Sequence, residues 1–433
     1  MPPTTTKKAT ITKIARQYIA RNRDKLMFAR SQWWLWDGKV WQPAHDIEQR
    51  SEFWKLIEEF EQKDGQSPSL GKLIAVQDYV RSKLFVSEKL LDNHDTLINL
   101  QNGVYNLDDG NLYPHDSTYY MTTILPFEYD PTARAELWQM YLMTTFVKPR
   151  STTFDPELAE FVQEAFGYSL TTDTRQHVTF WCVGEGANGK GVLFHILEQL
   201  GGTAAITLNV GLLSREQYQL ANLAGKRIAL CSEASATQNL VEDALIKALV
   251  AGDTMSVRQI RKEPFELQPK VKLWWAMNEL PPVADTSEGF WRRMRVIPFN
   301  RTFENDERIL DLKERIDTEL SGIFNWAMLG LRRLRGRGQF MEPNQVKIAT
   351  SQYREEANPI KLFCDETCDA GTGKEVQSTV IYNLYKEWCL NNTFRPQSSK
   401  NFKNEMKRLK FYTHRKNTGL FYQGLNIKGS IWP

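Results

Sequence analysis

A glycine-rich turn at 184–191, Gly-Glu-Gly-Ala-Asn-Gly-Lys-Gly, has the clearest chemical meaning in the chain. The apolar run at 177–183 before it is typical of a short buried strand, and the run at 192–200 after it has apolar residues at helical spacing. A strand, a glycine turn and a helix that begins near Lys190 form the pattern of a phosphate-binding loop. Glycine lets backbone N–H groups turn toward phosphate oxygens, while the helix N-terminus and Lys190 supply positive charge. The sequence therefore predicts a polyphosphate site, with an ordinary glycine turn as the alternative.

The loop departs from the usual pattern at its last position. The motif G-x-x-x-x-G-K-[ST] ends in a residue whose hydroxyl binds Mg²⁺, and Gly191 stands there in this chain. We therefore expect Mg²⁺ to be held through water at this point.

Two further predicted strands end in polar side chains. The strand at 226–233 ends at Glu233, where an α/β ATPase places the carboxylate that polarises the attacking water and supports Mg²⁺. The strand at 271–278 ends at Asn278, whose amide is suited to orienting that water or contacting the γ-phosphate. Each has a structural alternative, because an acid after a strand often caps a helix and an asparagine before Glu-Leu-Pro-Pro often forms a turn.

Arginines lie beside another short predicted strand, within 289–299. The guanidinium groups of Arg292 and Arg293 are planar and always charged, so they suit stabilisation of the charge that develops in phosphoryl transfer. A solvated basic turn is the alternative interpretation.

The composition is that of a soluble globular chain with two or three domains. It has 433 residues, of which 41% are hydrophobic and 25% charged. No apolar run approaches the length of a membrane span and the N-terminus lacks a signal pattern, so we expect a cytoplasmic location, with no membrane partner. The five cysteines have no zinc-binding spacing and are expected to be reduced core thiols. With a net charge of only +3, binding to nucleic acid would have to rest on local basic patches.

The N-terminal third is predicted to mix helices with short strands. Helical patterns cover 11–28, 46–62, 70–84 and 131–170, and short strands are expected within 99–112. The tryptophan-rich segment 32–42 predicts a β-hairpin around Asp37-Gly38. Its four tryptophans either form a small core or stack on bases, and the core is the commoner role.

A small basic domain is predicted at the C-terminal end. The segment 331–338, Leu-Arg-Arg-Leu-Arg-Gly-Arg-Gly, is interpreted as a basic linker that leads to it. Helices over 376–390 and 398–409 and a hairpin over 411–427 give a winged-helix layout. From 386 to 433 there are ten Lys or Arg residues against two acids, a net charge of +8. Lys400, Lys403 and Lys407 share one helix face, which predicts contact with a DNA backbone, with a solvated face as the alternative.

Taken together, these motifs resemble those of superfamily 3 helicases of the phage, plasmid and poxvirus primase–helicase type, which are AAA+ relatives. The segments that carry the resemblance are, in chain order, 184–190, Glu233, 244–253, 278–282, 290–293 and 297–299. In addition, 97–115 is similar to the N-terminal module of the family, and 321–331 resembles its helical lid.

The resemblance implies an α/β fold in which an AAA+ P-loop NTPase core is joined to an α+β N-terminal module, a helical lid and a C-terminal winged-helix-like domain. The N-terminal module would cover 1–130, and the ATPase core with its helical lead-in 131–300. The lid with the basic linker would cover 301–357, and the winged-helix-like domain 358–433.

The resemblance also implies a site for ATP and Mg²⁺. Its nucleotide-binding residues would be Gly184, Glu185, Gly186, Ala187, Asn188, Gly189, Lys190 and Gly191. Glu233 would be the catalytic carboxylate and Mg²⁺ ligand, and Asn278 the polar sensor. Arg292 or Arg293 would act on the ATP of a neighbouring subunit. Ser232 stands where many relatives have a second acid, so Glu233 would act with less local negative charge.

The implied activity is that of a replicative DNA helicase. The family forms hexameric rings that move along one strand in the 3′→5′ direction. A hairpin between 253 and 271, with Arg261 and Lys262 at its tip, would line the channel of the ring. Single-stranded and forked DNA would be the substrates, with a separate primase or polymerase as a further partner.

Two other functions remain open at this point. A replication initiator would use the loop only to bind nucleotide and the C-terminal domain to recognise an origin; Gly191 favours this function, whereas Glu233, Asn278 and Arg293 argue against it. The second open function is that of an ATPase that acts on RNA or packages a genome. The N-terminal segment shows no carboxylate cluster suited to the two-metal chemistry of a primase.

Overall fold

The computed structural model of the chain describes residues 5–64, 67–209, 217–231, 243–260, 262–280, 287–392, 394 and 396–429. Two predicted site residues, Glu233 and Arg261, lie outside these ranges.

The N-terminal part begins with a small α+β unit that has its own apolar core. Its elements are α1 (Thr5–Arg21), β1 (Leu26–Ala29), β2 (Gln32–Trp36), β3 (Trp41–Pro43), α2 (Asp46–Asp64) and α3 (Leu70–Lys83). The predicted hairpin is confirmed, since Trp36 pairs with Trp41 across its turn. Trp33, Trp34 and Trp41 are buried, so these rings form core rather than a surface for base stacking.

The helix predicted over 11–28 is wrong in its second half. The helix ends at Arg21, Asp24 adopts a left-handed φ of 60°, and the chain continues as strand β1. Leu26 and Met27 pair with Leu35 and Trp34 of β2, and this sheet pairing overrides the apolar pattern that helical spacing had matched.

A second group of short elements leads to the central sheet. It comprises β4 (Leu97–Leu100), β5 (Gly103–Asn106), β6 (Leu112–Tyr113), α4 (Glu136–Thr145) and α5 (Pro156–Ser169). The short strands predicted within 99–112 are therefore confirmed. Ile98, Tyr105 and Trp138 of this group lie in the same apolar core as the sheet that follows.

The central elements form a parallel sheet with helices around it. They are β7 (Thr179–Val183), α6 (Lys190–Gly201), β8 (Ala205–Leu208), α7 (Gln217–Ala221), β9 (Ile228–Cys231), α8 (Asp243–Ala251), β10 (Met255–Val257), β11 (Phe265–Leu267), β12 (Lys272–Met277), α9 (Glu288–Trp291) and β13 (Met294–Pro298). The described strands lie in the order β13-β7-β12-β9-β8, all parallel, so a mixed α/β fold with a parallel sheet is confirmed. Because β7 lies between β13 and β12, the carboxyl ends of these strands meet at one edge of the sheet.

The helices after the sheet correct one prediction. They are α10 (Leu312–Ile316), α11 (Leu320–Arg337) and α12 (Asn344–Glu356). The segment 331–338 is no linker, because residues 331–337 form the last turns of α11 and Gly338, with a φ of 81°, caps the helix. Leu331 and Leu334 are buried, while Arg335 reaches Asp108 at 2.5 Å. The arginine run is therefore held by acids that are distant in sequence.

Helix α11 crosses α5 at very short range. A Cβ atom added to Gly330 would lie 2.5 Å from the carbonyl carbon and oxygen of Gln163, and one added to Gly167 would lie 2.3 Å from the Ala327 carbonyl oxygen. The buried Glu164 of α5 accepts from Arg337 at 2.5 Å across the same contact. Only glycine permits this approach of the two backbones.

The C-terminal elements form a compact unit with a separate apolar core. They are α13 (Pro359–Thr367), β14 (Cys368–Gln377), α14 (Ser378–Asn391), α15 (Ser399–Arg408), β15 (Thr413–Lys416) and β16 (Gly419–Ile427). The two predicted helices and the hairpin are confirmed. Strand β14 was not predicted; it pairs with β16, giving the sheet order β14-β16-β15.

All five cysteines are buried and free of disulfides, and burial raises the pKa of the Cys182 and Cys231 thiols. Among the described helices, none combines the length and the apolar character that crossing a membrane requires.

The helix crossing yields a stability prediction. Gly330→Ala should lower the free energy of unfolding by about 2 kcal/mol, because its Cβ would overlap the backbone of α5. The matched control is Gly336→Ala in the same helix, where nothing lies within 4 Å of the added Cβ; it should be neutral or stabilising by up to about 1 kcal/mol. Thermal unfolding of both variants makes the comparison, and equal melting temperatures would contradict the close crossing.

Candidate nucleotide-binding site

The glycine turn after β7 is held from two sides. Gly189 precedes α6 with a φ of 88°, and a Cβ atom there would lie 3.1 Å from Thr145 Oγ1. The Tyr141 hydroxyl donates to the Gly189 carbonyl oxygen at 3.1 Å. On the other side the Phe303 N–H donates to the Ala187 carbonyl oxygen at 2.8 Å. Sequence reasoning missed Tyr141, Thr145 and Phe303, because no local pattern connects them with the loop.

The loop carries a run of unpaired backbone donors. In the part of the chain that the structure describes, no protein acceptor lies within hydrogen-bonding range of the N–H groups of 185–189. The buried Asn188 shapes this run, since its Oδ1 accepts from the Lys190 N–H at 3.2 Å and its Nδ2 donates to the Glu185 carbonyl oxygen. Successive N–H groups without partners at a helix N-terminus are the usual setting for phosphate binding.

Lys190 and Asn278 lie together at the carboxyl edge of the sheet. Because Met277 at the end of β12 pairs with Val183 at the end of β7, Asn278 follows directly beside the loop. The Lys190 Nζ donates to Asn278 Oδ1 at 3.1 Å and to the Gly184 carbonyl oxygen. The Lys190 side chain is largely buried, with 8% of its surface exposed. The structure thus brings together two of the predicted site residues.

The structure leaves the Mg²⁺ prediction untested. Strand β9 ends at Cys231, two residues before Glu233, and Glu233 itself lies outside the described residues. Gly191 offers no side-chain oxygen at the start of α6. Over the described ranges, no group of three or more His, Cys, Asp or Glu side chains is arranged to hold a metal ion. The described residues alone do not complete a Mg²⁺ site.

Arg292 and Arg293 lie at the opposite edge of the sheet. They precede β13, whose first residue Met294 pairs with Thr179 at the beginning of β7. The length of β7, about 16 Å, therefore separates them from the glycine turn of their own chain. Arg293 donates to the Gly289 carbonyl oxygen, and burial, followed by repulsion from Arg292, lowers the pKa of Arg293. This separation argues against action within one chain, and action on a neighbouring subunit remains a prediction.

The predicted hairpin between 253 and 271 is present, with an unforeseen contact at its tip. Strands β10 and β11 pair in antiparallel fashion, and Lys262 lies in the segment that joins them, next to Arg261 outside the described residues. The Lys262 Nζ donates to Gln32 Oε1 in the N-terminal unit at 2.5 Å, and burial lowers the pKa of Lys262. The bond to Gln32 uses one of the three N–H donors of the Lys262 ammonium, and contact of Lys262 with DNA stays a prediction.

The predicted lysines of the C-terminal unit lie on the exposed side of their helix. Lys400, Lys403 and Lys407 on α15 are exposed, whereas Phe402 and Met406 on the same helix are buried. The lysines are therefore available to a partner, and their role in DNA binding stays a prediction.

Three family profiles match successive parts of the chain. Residues 13–147 match the profile described as D5 N terminal like, and 182–293 match a family of unknown function, DUF5906. Residues 355–425 match the profile described as Poxvirus D5 protein-like.

Proteins of large DNA viruses that are named as candidate helicases are similar over most of the chain. L207/L206 of Acanthamoeba polyphaga mimivirus is 24% identical over 76% of this chain, which corresponds to 37% of that protein. Protein 184R of Invertebrate iridescent virus 6 is 24% identical over 82% of this chain and 40% of that protein. The chain thus spans less than half the length of these relatives. Together with the D5 profiles, they confirm the predicted resemblance to primase–helicases of the phage and poxvirus type.

A solved structure shares the fold. The C-terminal region of NrS-1 superposes with a TM-score of 0.50 and 15% sequence identity, covering 92% of this chain and 83% of that one.

The loop geometry predicts the effect of one substitution. Lys190→Ala should lower ATP turnover at least about 100-fold, because phosphate charge in the transition state loses its ammonium partner. Phosphate release measures the effect, with Lys347→Ala as the control because that lysine is exposed on α12. Turnover at the wild-type rate in Lys190→Ala would place the nucleotide site elsewhere.

Proposed function

We propose that this relative of the poxvirus D5 proteins is an ATP-dependent DNA helicase of superfamily 3 that acts in the replication of a phage, plasmid or other mobile element. The observation that carries the proposal is the loop at 185–189, whose N–H groups have no protein acceptor among the described residues. It lies beside Lys190 and Asn278, which are hydrogen-bonded to each other at the carboxyl edge of a parallel sheet. This is the edge at which α/β folds bind nucleotides. The names of the viral relatives support the helicase class.

Hydrolysis would depend on this chain's own groups as follows. The N–H groups of 185–189 would bind the phosphates, and Lys190 would exchange the Gly184 carbonyl oxygen for β/γ-phosphate oxygens. Asn278, adjacent to that ammonium, would sense the γ-phosphate. Glu233 would accept the proton of the attacking water. Mg²⁺, held by Glu233 through water, would supply further neutralisation of phosphate charge.

The separation between the loop and the arginines supports assembly into a ring. Since Arg292 and Arg293 lie at the edge away from their own loop, we assign them to the nucleotide site of a neighbouring chain. A closed homo-oligomer, which we propose to be a hexamer, satisfies this requirement for every subunit. The AAA+ core would then be the part that assembles, with the boundaries predicted above at 130, 300 and 357.

DNA would be held in two places. The order helix–strand–helix–helix–hairpin of the C-terminal unit supports a winged-helix role, with Lys400, Lys403 and Lys407 on phosphates of the duplex. The β10–β11 hairpin, with Arg261 and Lys262, would contact the translocating strand inside the ring. The proposed direction of translocation is 3′→5′.

A replication initiator that binds ATP without unwinding DNA is the second candidate. Gly191 favours it, because the missing hydroxyl removes a Mg²⁺ ligand from the hydrolytic site.

Unwinding of tailed duplexes separates the two candidates. The proposal predicts ATP-dependent strand separation of a duplex that has a 3′ single-stranded tail, and little separation with only a 5′ tail. Lys190→Ala is the negative control. ATP binding without separation of either substrate by the wild-type chain would favour the initiator.

Mixing variants tests the position of the arginines. Arg293→Ala and Lys190→Ala chains, each inactive alone, should regain part of the ATPase activity when mixed, because some interfaces then combine an intact loop with an intact arginine. Native mass measurement confirms that mixed rings have formed. Mixed rings without recovered activity would contradict action between subunits.

A further inference from the structure

Lys313 places its ammonium group beside the position where the loop lacks a hydroxyl. A Cβ atom added to Gly191 would have Lys313 Nζ as its nearest heavy atom from elsewhere in the fold, at 3.8 Å. Gly191 is exposed at the first turn of α6, and Lys313 is exposed on α10. A Ser or Thr hydroxyl at position 191 would therefore point into the surroundings of this ammonium.

The packing of two helices places Lys313 opposite Gly191. Gly191 and His195 are one turn apart on α6, and Lys313 and Asp317 are one turn apart on α10 and the turn that follows it. His195 Nε2 lies 2.8 Å from Asp317 Oδ1, and the fully buried Ile316 anchors α10 in the main core. Because His195 lies beside Asp317, the residues one turn earlier on the two helices, Gly191 and Lys313, also lie beside each other.

The positive charge at the start of α6 favours the binding of an anion. The N-terminus of α6 is the positive end of its dipole, where acidic rather than basic side chains are stabilising. Two ammonium groups, those of Lys190 and Lys313, nevertheless lie at this turn. Throughout the described ranges, no carboxylate forms an ion pair with Lys313. A polyphosphate bound at the loop would lie near both ammonium groups.

We propose that Lys313 binds the triphosphate from the side on which other phosphate loops carry the Mg²⁺-binding hydroxyl. The inference rests on the proposed nucleotide site and adds to it a second phosphate-binding lysine in the same chain. The ammonium takes over part of the charge neutralisation that a loop ending in Lys-Ser or Lys-Thr obtains through its metal ligand. Nucleotide affinity should consequently depend less on Mg²⁺ than in such loops.

Direct binding of a fluorescent ATP analogue, with Mg²⁺ or with EDTA, tests the inference. Lys313→Gln should weaken binding about tenfold or more in EDTA, since a hydrogen bond to a charged group is lost, and by less when Mg²⁺ is present. Lys313→Arg keeps the charge and should restore most of the affinity. Arg315→Gln removes the same charge from the same helix, two residues further along, and should bind as the wild type does.

A double substitution tests whether a hydroxyl at position 191, together with Mg²⁺, can replace the ammonium group of Lys313. The space beside Gly191 admits a side chain, so Gly191→Ser combined with Lys313→Gln should recover tight binding only when Mg²⁺ is present. Wild-type affinity of Lys313→Gln in both buffers, or equal loss in Arg315→Gln, would overturn the inference. The absence of ATP binding by the wild type would instead refute the proposed nucleotide site.

Discussion

The parallel pairing of β7 with β12 is the interaction on which the candidate site depends. Large aromatic side chains on both faces of the sheet fix its register. Trp275 stacks on Trp181 with ring centroids 4.9 Å apart, and on the other face Trp274 lies 4.4 Å from Phe180. A slip by one residue would exchange the two faces and separate both pairs. This register places Asn278 next to the loop that follows β7, where it meets Lys190.

The order and direction of the strands place the remaining candidate groups at two edges of the sheet. The loop, Asn278 and Lys313 lie at the carboxyl edge, and Arg292 and Arg293 precede β13 at the other edge. In the proposed helicase this division has a mechanical consequence, since each site becomes complete only at the contact between two subunits. Nucleotide turnover would then be sensitive to the relative position of neighbouring chains, as a ring motor requires.

Local sequence patterns were sufficient for the elements that contain their own signals. The glycine turn, the Asp37-Gly38 hairpin, and the helices and hairpin of the C-terminal unit all follow from turn residues and apolar spacing. The failures involve partners distant in sequence. Strand β1 resembles a helix until its pairing with β2 is known, and the arginine run in α11 resembles a linker until Asp108 and Glu164 are seen to hold it. The position of Lys313 beside Gly191 and the contact of Lys262 with Gln32 likewise leave no trace in the local sequence.

Hydrogen exchange of the backbone N–H groups of 185–189 tests the central claim most directly, because these donors are proposed to bind the phosphates of ATP. Exchange would be followed by mass spectrometry without nucleotide and with millimolar ATP and Mg²⁺, for the wild type and for Lys190→Ala. The account predicts that ATP slows exchange of these amides in the wild type and has much less effect in Lys190→Ala. Unchanged exchange across 185–189 in the wild type at millimolar ATP would contradict it.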